Sequence, residues 1–288
     1  MKTIIATLLP VLAVFAVAPV FAQAPPPTLP PPELDRLVSR IALYPDPLLA
    51  QVLAAATYPD QIPDAARWAD QHHYLTGQAL ADAIQQDQLP WDPSVQALLP
   101  FPSVLDMLAS DLNWTNQLGN AFLAQQQDVM DAVQRMRQLA RDYGYLRSNG
   151  QIVVSGGPYI AITPVDPGLV YVPYYDPAVV FYAPRPGFFV GGAIRFGFFV
   201  NVGVAFRPWG WGYNRFDWGG HAVFINNAPW RRTWAGRVGY VHPYAVQRFN
   251  GARPAERHEL HERSERERSA AREGRARVEE HGHEREHR

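Results

Sequence analysis

From Glu33 to Leu146 the apolar residues fall at helical spacing. Leu34, Leu37, Val38, Ile41 and Ala42 form one such stripe. The stretch YPDPLLAQVLAAAT follows, with Asp46 placed as an N-cap, Pro47 at the first helical position and an apolar run behind them. WDPSVQALL repeats the device with Asp92 and Pro93, and FPSVLDML varies it with Pro102. IPDAARWADQHH predicts a short helix with Pro63 and Asp64 in its first turn. The spacing of Leu118, Phe122, Val129, Val133 and Met136 predicts one long helix from about Trp114 to Tyr143, ended by Gly144. Residues 33–147 therefore read as a small domain of roughly six helices with corners marked by proline.

At Ser148-Asn149-Gly150 the period changes. QIVVSGG, YIAITPVD, LVYVPYY and AVVFYAP are short β-branched and aromatic runs separated by Gly, Pro and Asp, and they predict a meander of three or four strands over 148–183. Residues 184–250 form a Gly- and aromatic-rich β segment. Within it, GFFVGGAIRFGFFVNVGVAF (187–206) alternates large apolar even positions with mostly small or polar odd ones. Period two favours β structure, broken near Gly191-Gly192 or Asn201. A glycine-faced membrane helix is the competing reading, and Arg195 opposes it at about 2.5 to 3.5 kcal/mol for insertion. Self-association is the third. The fold class expected is α+β: a helical domain, then short antiparallel strands, then a charged, mobile tail over 251–288.

The ends of the chain add a location. Lys2, the apolar run Ile4–Val17 and the V-F-A/Q junction at Ala22–Gln23 have the form of a signal peptide over 1–22. QAPPPTLPPP (23–32) reads as a polyproline spacer. The expectation is an exported protein, periplasmic or otherwise associated with the cell envelope. The chain contains no cysteine, which excludes disulfides, thiolate metal sites and a cysteine nucleophile. A net charge of −1 offers no overall field for nucleic acid, and no basic groove or phosphate-binding loop is present.

Several motifs together resemble one family. LDRLVSRIALYPDPLLAQVLAAATYPDQI, then WDPSVQALLPFPSVLDMLASDLNWTNQLGNAFLAQQQDVMDAVQRMR, then ITPVDPGLVYVPYYDPAVVF are similar to the bacterial DUF3300 family over about residues 33–183. GWGYNRFDWGGHAVFIN is a looser continuation. The resemblance implies a secreted or envelope-facing protein. It carries no catalytic residues across, because that family has no assigned function.

The candidate binding residues are aromatic. Tyr171, Tyr174 and Tyr175 in LVYVPYYDPAVV, and Trp209, Trp211, Trp218 and Trp230 among Arg and Gly, could stack on sugar rings or lie at a bilayer interface. Against this, tryptophans also fill small β cores where glycine lets chains approach. The expected role is a non-catalytic module that docks to a membrane surface, a glycan or an envelope protein, with no cofactor and no metal. The alternative is a hydrolase of envelope polymers drawing its acid from Asp166, Asp176 or Asp217, or an Asp217–His221 pair. Recurrence of Asp-Pro at 46–47, 92–93, 166–167 and 176–177 favours turn-capping for Asp176. His72-His73 read as a solvated face. HEREH (283–287) matches a zinc-protease spacing but has no third ligand downstream, so weak metal capture by His258, His261, His281, His283 and His287 is all it leaves.

Overall fold

The structure, a computed structural model, describes residues 24–184 and 191–243. Residues 1–23, 185–190 and 244–288 lie outside the described residues, and with them the expected signal peptide and charged tail.

The architecture is α+β. Helix α2 (Asp46–Ala56) is apolar on nearly every side apart from Asp46 and Gln51 and is accordingly buried all round. Around it stand α1 (Pro31–Val38), α3 (Ile62–Gln71), α4 (Gly77–Gln86), the single turn α5 (Pro93–Gln96), α6 (Pro102–Ser110), α7 (Leu112–Ala124) and α8 (Gln126–Asp142). α1 packs along α8, α3 along α6, and α7 crosses α2 at Gly119. Asp92 caps α5, accepting from the Ser94 N–H at 2.9 Å, with Pro93 at the first position, as expected.

Three predictions need correction here. The long helix from Trp114 to Tyr143 is two helices. Gln125 leaves the helical region (φ −143°, ψ 54°), and its side-chain amide bonds both the N–H (2.8 Å) and the C=O (3.1 Å) of Leu29. That pair of bonds fixes the end of the polyproline segment to the helices, and regular structure then begins at Pro31 rather than after Pro32. Asp46 is no N-cap. It sits inside the first turn of α2 and turns its carboxylate inward. Finally, AVVF is a single helical turn, α9 (Pro177–Val180), because Asp176 and Pro177 start a helix there as Asp92 and Pro93 do at α5.

The strands form three small antiparallel sheets. β1 (Ile152–Val154) pairs with β2 (Ile162–Pro164). β3 (Leu169–Tyr175) passes over the α9 turn to pair with β4 (Ile194–Asn201). β5 (Arg215–Asp217), β6 (Ala222–Ile225) and β7 (Ala228–Trp230) make a three-stranded meander against α2. One continuous apolar cluster runs from Leu34 to Trp230, so the strands close over the helices rather than forming a separate core.

A buried ion pair joins the layers. Arg137 of α8, fully buried, donates to Asp46 Oδ1 at 2.6 Å and to the carbonyls of Ala42 (2.8 Å), Tyr44 (2.9 Å) and Ile160 (2.8 Å). The Trp218 ring lies against its guanidinium at 4.8 Å, and the Trp218 indole N–H donates to Asp46 Oδ2 at 3.3 Å. Burial pushes the Asp46 carboxyl up, while the Arg137 charge, its hydrogen bond, the Ile162 N–H and the Trp218 indole pull it down.

Candidate functional site

The tryptophans singled out from the sequence are inside. Trp209 is 0% exposed and donates to Gln96 Oε1 at 2.8 Å. Trp211 donates to the Ala97 carbonyl at 2.9 Å, Trp218 binds Asp46, and Trp230 stacks on Phe122 at 4.8 Å. These four present no surface to a ligand. They fill the junction between strands and helices, and three indole N–H groups find acceptors there, as buried indoles do.

The carboxylates are turn elements. Asp166 Oδ1 accepts from the Gly168 N–H (2.8 Å), Asp176 Oδ1 from Ala178 (2.8 Å) and Asp217 Oδ1 from Gly220 (2.9 Å). His221 pairs with Asp131 of α8 at 2.8 Å, not with Asp217. His221 has a positive φ of 51°, a conformation in which histidine is enriched among non-glycine residues. His72 stacks on Trp68 at 3.9 Å, and its ring nitrogen contacts the Trp68 carbonyl.

The tyrosines are placed differently. Tyr175 turns inward: its hydroxyl donates to the Ser39 carbonyl (2.9 Å) and accepts from the Leu43 N–H (3.3 Å), and burial pushes its pKa well up. Tyr174 and Tyr171 face outward from the β3–β4 ribbon. The register pairs Tyr171 with Phe199, Pro173 with Phe196, Tyr174 with Arg195 and Tyr175 with Ile194, and shifts by one residue between Tyr171 and Pro173. Across that bulge Gly197 and Phe198 both stand opposite Val172. The consequence is unusual. Two consecutive phenylalanines are in solvent, Phe198 at 97% exposure and Phe199 at 54%. Phe199 contacts Tyr171 edge-on at 6.1 Å. The Tyr174 ring lies over Gly197, where a Cβ would come within 2.9 Å of it.

Between this ribbon and α6 lies a groove of about 720 Å³, within the range of small-ligand sites. Its walls come from Tyr44 after α1, Ser103 and Met107 of α6, and Tyr174, while Asp176 stands at the start of α9. Two guanidiniums reach it. Arg40 is held by Asp111 at 3.1 Å and lies over the Trp114 ring, while Arg195 is exposed and has no acidic partner among the described residues. The Tyr174 hydroxyl donates to Ser103 Oγ at 3.0 Å, which leaves the Ser103 proton to donate elsewhere. Tyr44 donates to the Met107 sulfur at 3.6 Å, a weak acceptor, and burial raises its pKa. Asp176 is the single carboxylate among the described residues that line the groove, and Asp166 and Asp217 do not join it there.

Of the residues read from the sequence, the groove and ribbon bring together Tyr171, Tyr174, Tyr175 and Asp176. Arg40, Tyr44, Ser103, Met107, Phe198 and Phe199 were missed. One signal was available: two adjacent phenylalanines in a strand cannot both face one core unless the register shifts.

The fold is a helix-wrapped apolar core closed by short aromatic ribbons, with Asp92, Asp166 and Asp176 holding turn or helix-start N–H groups and Asp46 paired with a buried arginine. Residues 31–247 match the family described as a protein of unknown function, DUF3300, and the chain belongs to that family. It is similar to the uncharacterized protein YacH of Escherichia coli (strain K12), 36% identical over 219 residues, which cover 60% of this chain and 35% of YacH. The chain thus spans about a third of the length of that curated relative. No solved structure matches.

Proposed function

We propose that the protein is a non-catalytic module of the bacterial cell envelope that docks peripherally to a lipid surface through the exposed phenylalanines of the β3–β4 ribbon. The observation that carries this reading is the exposure of the consecutive residues Phe198, in the bulge, and Phe199, next to it. A phenyl ring standing clear of its neighbours can enter a deformable apolar phase. The bulge and Arg195 both disfavour addition of another strand along β4, since these are devices that blunt sheet edges.

Charge supports the same orientation. Residues 184–250 carry eight arginines against one aspartate, whereas 33–147 carry seven arginines against fourteen acids. An anionic surface would attract residues 184–250, which include β4, and repel the helical residues. Among the described residues no helix is long and apolar enough to cross a membrane, so the contact proposed is interfacial.

Fully burying Phe198 is worth about 1.5–3 kcal/mol, and half-exposed Phe199 contributes about half as much. Phe198→Ser with Phe199→Ser should therefore weaken vesicle binding on the order of 100-fold, with little change in thermal stability because both rings are solvated. The test is vesicle co-sedimentation of protein expressed with its own leader and purified as the cell releases it. Equal sedimentation of the wild type and the double variant would refute docking by this face. Concentration-dependent self-association without vesicles that the double variant abolishes would assign the face to a second copy instead.

A further inference from the structure

The groove between the ribbon and α6 takes Tyr174 and Arg195 from the same β3–β4 ribbon that carries the docking phenylalanines. We infer that the groove of Arg40, Tyr44, Ser103, Tyr174 and Arg195 receives the monoanionic phosphodiester of a phospholipid head group. This assignment rests on the lipid-docking reading above.

The donors suit a tetrahedral anion. Arg195 stands at the rim with no acidic partner among the described residues. Arg40 is held against Trp114 by Asp111, which positions its guanidinium without covering it, its side chain being 43% exposed. The Ser103 hydroxyl accepts from Tyr174 and keeps its own proton for a ligand. Among the described residues the Tyr44 hydroxyl is engaged by a thioether, and a phosphoryl oxygen is a better acceptor. Guanidinium and hydroxyl donors of this kind are those that recognise phosphate.

The carboxylates set the charge class. Asp176, with Oδ1 bound to the Ala178 N–H, and Asp111, paired with Arg40, offset the two arginines. That balance disfavours the second charge of a phosphomonoester, which carries nearly two at neutral pH, and suits the single charge of a phosphodiester. Tyr174 closes one side by lying over Gly197, an approach any larger residue at 197 would block.

The experiment compares vesicles of phosphatidylcholine alone with vesicles containing phosphatidylglycerol, using the purified exported protein. Wild type should bind the second at least tenfold more tightly. Arg195→Gln should lose most of that gain yet keep its binding to phosphatidylcholine. Arg231→Gln, which removes an exposed arginine that does not line the groove, should change the gain less than twofold. Equal losses from the two variants would mean diffuse attraction, worth about fivefold per arginine, and would overturn the groove assignment. So would wild-type binding indifferent to phosphatidylglycerol. Failure to bind either vesicle would instead overturn the docking reading. Soluble glycerophosphoglycerol separates the sources. If it abolishes the gain, the groove takes the phosphodiester from solution as well, and if the gain persists the groove requires the head group in a bilayer.

Discussion

Replacing Arg137 with Met keeps the length and apolar bulk of the side chain and removes its charge and every donor. The guanidinium is fully buried and holds Asp46 at 2.6 Å together with three backbone carbonyls. In Arg137→Met, Asp46 stays buried with no cation, and breaking such a pair costs about 3–5 kcal/mol. That is a large share of the roughly 5–15 kcal/mol by which a domain is stable. For a folded region of this size it corresponds to a fall in Tm on the order of 6–20 °C. The assay is urea and thermal unfolding followed by tryptophan fluorescence, since Trp218 lies on the guanidinium at 4.8 Å and should report its loss. The double variant Arg137→Met with Asp46→Leu removes both charges and should recover about 2 kcal/mol of the loss. It will not recover everything, because the Ala42, Tyr44 and Ile160 carbonyls and the Trp218 indole remain without their partners. A single variant costing under about 1 kcal/mol, or a double variant whose cost is the sum of the singles, would refute the claim that this pair clamps the strands to the helices.

Two further predictions concern stability. Gly119→Ala in an ordinary helix would stabilise by about 1 kcal/mol, but here the new Cβ would stand 2.0 Å from the Ala56 carbonyl oxygen. That atom is backbone of α2 and cannot step aside, so the variant should lose roughly 2–3 kcal/mol in urea unfolding, and a gain would show that α2 and α7 are not in contact there. Asp92 is buried, which by itself would raise its pKa, but His242 and Ser94 hold the carboxyl below the usual range. Its stabilising contribution is therefore complete above the unfolded value near pH 4 and disappears as pH falls through the lower folded value. Asp92→Asn should flatten the loss of urea midpoint below about pH 4, and a variant with the wild-type acid profile would contradict the assignment.

The two kinds of Asp-Pro site show where local information ends. At 92–93 and 176–177 the dipeptide starts a helical turn because the aspartate oxygen reaches an N–H two residues on. That reach is local and is legible in the sequence, as are the change from helical to β period near residue 150 and the α+β class. At 46–47 the same dipeptide stands in the same place, yet its carboxylate serves Arg137 and Trp218, which are 91 and 172 residues away. Nothing within a few residues of Asp46 distinguishes it from Asp92. Burial of α2 on all sides makes the difference, by demanding a cation for any charge carried inside. The long helix broke for a similar reason, since Gln125 is called away by Leu29, 96 residues earlier. The aromatic residues divide in the same manner. Composition showed many of them, but only packing placed Trp209 and Trp211 in the core, and only a one-residue register shift against β3 put Phe198 into water. Propensity and period are properties of neighbouring residues and can be read along the chain. Partner choice and register depend on which distant surfaces meet, and the tertiary structure alone decides them.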